Sequence, residues 1–145
     1  MAMTIKERLP GIIVMGVLAV GLGVIASKFM GGSPPRTKVA VKVPQLSAGA
    51  QQGKAAFDAN CAQCHGANAA GADKGPPLVH ATYNPGHHAD GAFFLAVRNG
   101  VRQHHWPYGN MPAQPQVGQD DVAGIITYVR ELQRANGIFY KPHNM

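Results

Sequence analysis

Residues 61–65, Cys61-Ala62-Gln63-Cys64-His65, constrain the fold more than any other stretch of the chain. A C-x-x-C-H run is the attachment pattern of a c-type haem. The two thiols add across the haem vinyl groups, and the next imidazole is held at the iron. The spacing has a mechanical reason, because positions 61, 64 and 65 share one face of a helical turn. Rival chemistries explain less. A structural zinc site needs four ligands, and Cys61 and Cys64 are the only cysteines in the chain. A thioredoxin-like pair expects a βαβ context and gives no reason for the adjacent histidine. A Cys61–Cys64 disulfide leaves His65 equally unexplained. The expected cofactor is therefore one covalently attached haem c.

At 145 residues the chain is long enough for one domain and an appendage. Both cysteines are used by the motif, so the compartment follows from haem attachment, which takes place outside the cytoplasmic membrane. The net charge of +6 is unevenly spread. Up to residue 46, six basic residues (Lys6, Arg8, Lys28, Arg36, Lys38, Lys42) face one acid, Glu7. From residue 47 on, seven basic residues face six acids. A domain that is nearly neutral gives no support to nucleic-acid binding.

Leu9 to Ser27 is an uncharged, mostly apolar run between Arg8 and Lys28. As a helix it is about 28 Å long, close to the ~30 Å of a hydrocarbon core. A cleaved signal peptide is the competing reading, but no A-x-A site follows the run directly. An uncleaved transmembrane anchor, residues 1–28, is favoured. More Lys and Arg follow the run than precede it, which by the positive-inside tendency would place the C-terminal side in the cytoplasm. Haem attachment requires the opposite, and it takes precedence because the excess is small and dispersed. Those cations then suit anionic headgroups, at about 1 kcal/mol each. Residues 29–46 form an expected linker, with Gly31-Gly32 breaking the helix and Pro34-Pro35 and Pro44 favouring extended chain. Val39, Val41 and Val43 alternate as in a short strand, although a spacer is the preferred reading.

The domain, residues 47–145, begins at Ser47, an expected N-cap. Gly53, Phe57 and Cys61 recur every four residues and lay one helix face that runs into the haem motif. Residues 66–88 are rich in Gly, Pro, Ala and Asn and are expected as loop. Asp90 is expected to cap a short helix carrying Phe93, Phe94 and Val97 and ended by Asn99-Gly100. The last helix has Asp120 and Asp121 in its first turn and an apolar stripe of Val122, Ile125, Ile126, Val129 and Leu132. Arg130 and Arg134 fall towards its end, and Asn136-Gly137 stops it. Nothing predicts a sheet. So few large apolar residues make a thin core, and a buried porphyrin would supply the missing volume.

Met111 is the only methionine between the linker and the final residue, and Pro112 follows it. Core filler is the ordinary use of a lone methionine. With a haem requiring a sixth ligand, iron ligation by Met111 opposite His65 is favoured.

With these residues in hand, the chain resembles the class I, mitochondrial-type, cytochrome c family, and within it the membrane-anchored bacterial forms. The matching residues are Gly53, Phe57, the CAQCH run, Gly75-Pro76-Pro77-Leu78, Met111-Pro112 and Ile125-x-x-Tyr128-Val129. The resemblance covers about residues 47–136. It implies an all-α fold of three or more helices around one haem, here preceded by a transmembrane helix. It also implies that Gly53 and Phe57 cross the last helix near Tyr128, and that the Pro76 carbonyl accepts the His65 Nδ1–H. That bond would fix the tautomer and raise the ligand's basicity.

The domain lacks the lysine-rich haem edge of the family, which argues against steering by positive charge. It also gathers His80, His87, His88, His104 and His105 in the loops before Met111. Propionate hydrogen bonds and plain exposure are the simpler readings of these histidines. A second, copper-type metal site built from the His87-His88 and His104-His105 pairs is the sharper one, and bis-histidine haem ligation is a third. Trp106 and Arg102 are candidates to hold propionates, with core filling an equal reading for Trp106.

The expected function is a membrane-tethered electron carrier, not an enzyme, on the periplasmic side of a bacterial cytoplasmic membrane. A quinol-oxidising complex or dehydrogenase is the expected donor, and a terminal oxidase or copper enzyme the expected acceptor. The alternatives are an open-iron haem protein with a peroxidase or ligand-sensing role and a copper-associated redox partner using the histidine loops.

Overall fold

The computed structural model describes residues 5–30 and 37–142, with side chains over 13–26 and 37–142. The Gly-Gly and Pro-Pro breaks expected in the linker lie outside the described residues. The chain divides into two units, residues 1–34 and 35–145.

In the first unit, α1 (Ile5–Met30) has 26 residues, about 39 Å of helix. All side chains over 13–26 are exposed and uncharged, Met15 at 69 % and Leu22 at 71 % among them. Apolar residues occupy every side of this stretch. Among the described residues no helix is long and apolar enough to cross a membrane; the described side chains of α1 cover about 21 Å.

The second unit is mostly helical, with α2 (Ala48–Asn60), α3 (Ala62–His65), α4 (Asp90–Asn99) and α5 (Gln119–Ala135). Single 3-10 turns lie at Ala67–Ala69 and Ala81–Tyr83. The described residues contain no strand, only isolated bridges between Ala72 and Gly75 and between Val101 and Met111. The apolar stripe of α5 builds the core: Val122, Ile125, Ile126, Val129 and Leu132 are all buried, as is Tyr128. Its carboxylates and cation sit where the helix dipole favours them, Asp120 and Asp121 in the first turn and Arg134 in the last.

The α2–α5 crossing is backbone on backbone. A Cβ on Gly53 would stand 1.8 Å from the Gly124 carbonyl oxygen, so only glycine permits this approach. One turn on, the Phe57 and Tyr128 rings meet at 5.6 Å with a 59° tilt. Such tilted pairs contribute about 0.5–1.5 kcal/mol beyond their buried area. Ser47 caps α2 by accepting from the Ala50 amide at 3.2 Å. Its own hydroxyl and amide donate to Glu131 at 2.6 and 3.1 Å, which ties the start of α2 to α5.

Two expectations are corrected. Asp90 is not the cap of α4: Ala89 holds that position, and Asp90 is the first helical residue, paired with Arg130 at 2.8 Å. Of the residues expected as spacer, Phe29 and Met30 end α1, and residues 37–46 are held against the domain. The Thr37 amide donates to the Tyr108 hydroxyl (2.8 Å) and the Val39 amide to Ala70 O (2.9 Å). The Lys42 backbone exchanges hydrogen bonds with the Asn136 side chain. Val39, Val41 and Leu46 face inward onto the core rather than pairing as a strand.

Candidate functional site

The attachment turn is built as a step between two helices. The Cys61 amide closes α2 on Phe57 O, and Cys61 O then accepts from both Cys64 N (3.0 Å) and His65 N (2.9 Å). That single turn places Cys61, Cys64 and His65 together, with both thiols unpaired and half-buried. Burial, then the neighbouring Cys64, pushes the Cys61 thiol up to about 11. Beyond the turn the backbone doubles back sharply. Asn68 and Ala69 take φ of 54° and 56°, a region costly for side chains. Three bonds hold them: Ala69 O accepts from the Leu78 and Val79 amides, and Asn68 Oδ1 from the Tyr128 hydroxyl.

This fold-back delivers Pro76. The His65 Nδ1–H donates to Pro76 O at 2.9 Å, which leaves Nε2 with the lone pair that a metal ligand needs. Burial holds the His65 imidazole below its usual range, partly offset by that carbonyl, so the ring is neutral and ligand-competent. Gly75 is the cradle for this contact, since a Cβ there would stand 2.8 Å from Cys64 O.

The other candidates lie on residues 78–111. Met111 is half-buried at the foot of a loop closed by reciprocal 2.9 Å bonds with Val101. Trp106 sits edge-on to His80 at 5.0 Å, and its buried Nε1–H has no hydrogen-bond partner. Its approach to Tyr83 is too loose for a well-formed hydrogen bond but offsets part of the rise that burial gives that phenol, to about 12. The Arg102 side chain is exposed, and what the structure uses is its carbonyl, which accepts from His104 Nδ1 at 2.8 Å. His87, His88, His104 and His105 come together, with neighbouring rings 4.3–6.0 Å apart.

Sequence reasoning missed the device that holds these loops. Arg130 is buried, not a solvated charge at a helix end. Its Nη1 donates to Tyr83 O (2.9 Å) and Gln133 Oε1 (2.6 Å), its Nη2 to His88 O (2.5 Å), and its guanidinium covers the Phe93 ring at 5.1 Å. Gln133 donates to Leu78 O and Tyr83 O. The available signal was positional: Ile126, Arg130 and Gln133 follow one another at four and three residues, on the apolar side of α5.

The residues present fit a haem. Next to the attachment turn the histidine is neutral, and Pro76 fixes its tautomer. An orphaned buried N–H on Trp106 calls for an acceptor of the kind a propionate supplies. α4 has no buried residue, and its Phe93, Phe94 and Val97 are only partly covered by the core, apolar area a macrocycle would cover. Cys61, Cys64 and His65 would hold the group, with Pro76 supporting the histidine.

No curated protein and no solved structure matches the chain. Residues 50–133, more than half of it, match the family model described as Cytochrome c. The attachment turn, the histidine support and the α2–α5 crossing all fall within that span, and the chain belongs to the cytochrome c family, whose domain carries covalently attached haem c.

Proposed function

We propose that this protein is a membrane-tethered carrier of single electrons between respiratory-chain partners on the periplasmic face of a bacterial cytoplasmic membrane, with His65 and Met111 as axial ligands. A cytochrome c domain is typical of electron carriers rather than enzymes. The observation that carries the reading is the 2.9 Å bond from His65 Nδ1 to Pro76 O beside two unpaired thiols on one turn. When bound, the haem supplies a one-electron iron couple. His65 is held in one tautomer and orientation, so it need not rearrange as charge changes. The Met111 thioether and the half-covered apolar side chains of α4 favour the less charged, reduced state and so raise the potential. A Met111 that fills the sixth position also keeps oxygen and peroxide from the metal.

Support for the tether comes from α1, whose described side chains are apolar and exposed on every side. A helix of that character needs a covering, and a bilayer provides it. Tethering raises the effective concentration of the haem domain near membrane complexes. A quinol-oxidising complex or dehydrogenase suits the donor side, and a terminal oxidase or copper enzyme the acceptor side.

The test is expression with the haem-attachment machinery, followed by membrane fractionation and optical redox titration. A red protein in the membrane fraction, with the haem retained after acidified-solvent extraction and titrating as one electron, is the expected result. A soluble or colourless product would contradict the proposal.

A further inference from the structure

His87, His88, His104 and His105 are not needed to explain the haem site, and their arrangement is specific. One ring nitrogen from each of His87, His88 and His105 lies within 4.8 Å of the other two. His87 Nε2 and His105 Nε2 are 3.0 Å apart. Two nitrogens bound to one metal at ~2.0–2.1 Å stand about 2.9 Å apart at a right angle and about 3.4 Å apart at the tetrahedral angle. The His87–His105 pair already has the spacing of a chelate, and His88 borders it within 4.8 Å.

The rings are also oriented as ligands are. The His88 Nδ1–H donates to Thr82 O at 2.9 Å, which leaves Nε2 with the lone pair. The His104 Nδ1–H donates in the same way to Arg102 O. A carbonyl on one ring nitrogen is the usual means of presenting the other to a metal. The backbone beneath is fixed. The His87 and His88 amides donate to Asn84 O, and His88 O is gripped by buried Arg130. On the opposite loop the Gln103 amide donates to Asn110 Oδ1 and the Gly109 amide to Gln103 Oε1, above the Val101–Met111 closure.

We propose that His87, His88 and His105 form a second metal site, separate from the haem iron, that takes a borderline first-row divalent cation and binds copper(II) more tightly than zinc(II). Imidazole nitrogens suit this class of ion, and the order of affinities places copper(II) first. Water completes the coordination. His104, its ring 4.3 Å from that of His105, borders the site. Binding replaces the hydrogen bond between His87 and His105 by two metal–nitrogen bonds. The proton between the two Nε2 atoms is exchanged through solvent as the metal takes its place.

The test uses the full-length haem-loaded protein in detergent micelles, titrated with copper(II) and with zinc(II) against a competing chelator. Copper occupancy is followed by electron paramagnetic resonance. The expected result is one equivalent of copper with nitrogen hyperfine structure, displacing zinc. In the double variant His87→Ala/His105→Ala, affinity should fall by more than about 100-fold, since losing even an outer-shell partner costs 10–100-fold. If the double variant fails to load haem, the single variant His105→Asn at an exposed position gives the same comparison. Equal copper affinity in wild type and the His87/His105 variants would overturn the proposal. So would the lack of a saturable first equivalent, with the histidine variants instead altering the haem potential, which assigns the rings to the propionates. The haem spectrum, read in the same samples, tests family membership separately.

Discussion

The α2–α5 crossing and the 78–111 loops solve the same problem, holding chain around a haem, by opposite means. At the crossing, backbone meets backbone at Gly53 and Gly124, and apolar rings close the remaining space. In the loops almost nothing apolar is fully buried. Their order comes from polar side chains reaching up from α5, with Arg130 and Gln133 between them taking the carbonyls of Leu78, Tyr83 and His88. The difference teaches where each kind of order is affordable. Tight apolar contact suits a part that never changes, whereas directional bonds position loops that must present ligands and carry polar groups near a charged cofactor.

The largest expected effect strikes both regions together. Replacing Cys61 and Cys64 by Ser should abolish covalent haem, measured as pigment lost on acidified-solvent extraction, and should leave the thin core unable to hold a cooperative fold. Retention of the pigment by that variant would separate colour from the attachment turn. Next, Gly53→Ala forces the helices apart at a contact of 1.8 Å to backbone. The expected loss is about 3 kcal/mol in denaturant unfolding, spread over the whole domain. Arg130→Met should cost about 2 kcal/mol, because buried acceptors lose their donor. Most of that cost arises at the carbonyls, since Asp90 is 62 % exposed and its pairing is weak. Faster hydrogen exchange confined to 78–90, with α2 and α5 unchanged, would sharpen the contrast, whereas uniform loosening would break it.

How far these contrasts could be foreseen depended on the residue type involved. The crossing was legible through the family resemblance, the four-residue spacing of Gly53, Phe57 and Cys61 by itself marking only a helix face, and the attachment turn was legible because its chemistry fixes its spacing. Ser47 and the ends of α5 followed from capping and dipole rules. The polar scaffold was hidden for a physical reason. An arginine on a helix is ordinarily solvated, and only the loop carbonyls brought over it by the fold turn Arg130 into an internal anchor. Residues 37–46 were misjudged similarly: proline and alternating valine describe extended chain but not what it lies against, and Tyr108, Ala70 and Asn136 are far away in sequence. The histidine pairs were visible as pairs, but that His87 and His105 nitrogens meet at 3.0 Å depended on two loops closing together.

The smallest expected effect is at the rim of the crossing. Ser47→Ala should cost about 1 kcal/mol by loss of the cap. The Ser47 hydroxyl holds the Glu131 carboxyl below its usual range against the opposing effect of burial, with the Ser47 amide and Arg134 acting the same way as the hydroxyl. A carboxyl lowered in the folded state adds stability above its unfolded pKa and loses it as pH falls through the folded one. The wild type should therefore lose this increment below about pH 4, and the Ser47→Ala protein should show a shallower decline there, measured by chemical unfolding across pH.

The bond on which the proposed role turns is that between the iron and the Met111 sulfur. Near-infrared absorption of the oxidised, full-length protein reads it directly. The expected result is the weak sulfur-to-iron charge-transfer band in wild type, lost in Met111→Ala while the haem stays attached. Its absence from the wild type would contradict Met111 ligation and leave the sixth position to another ligand or open to exchange.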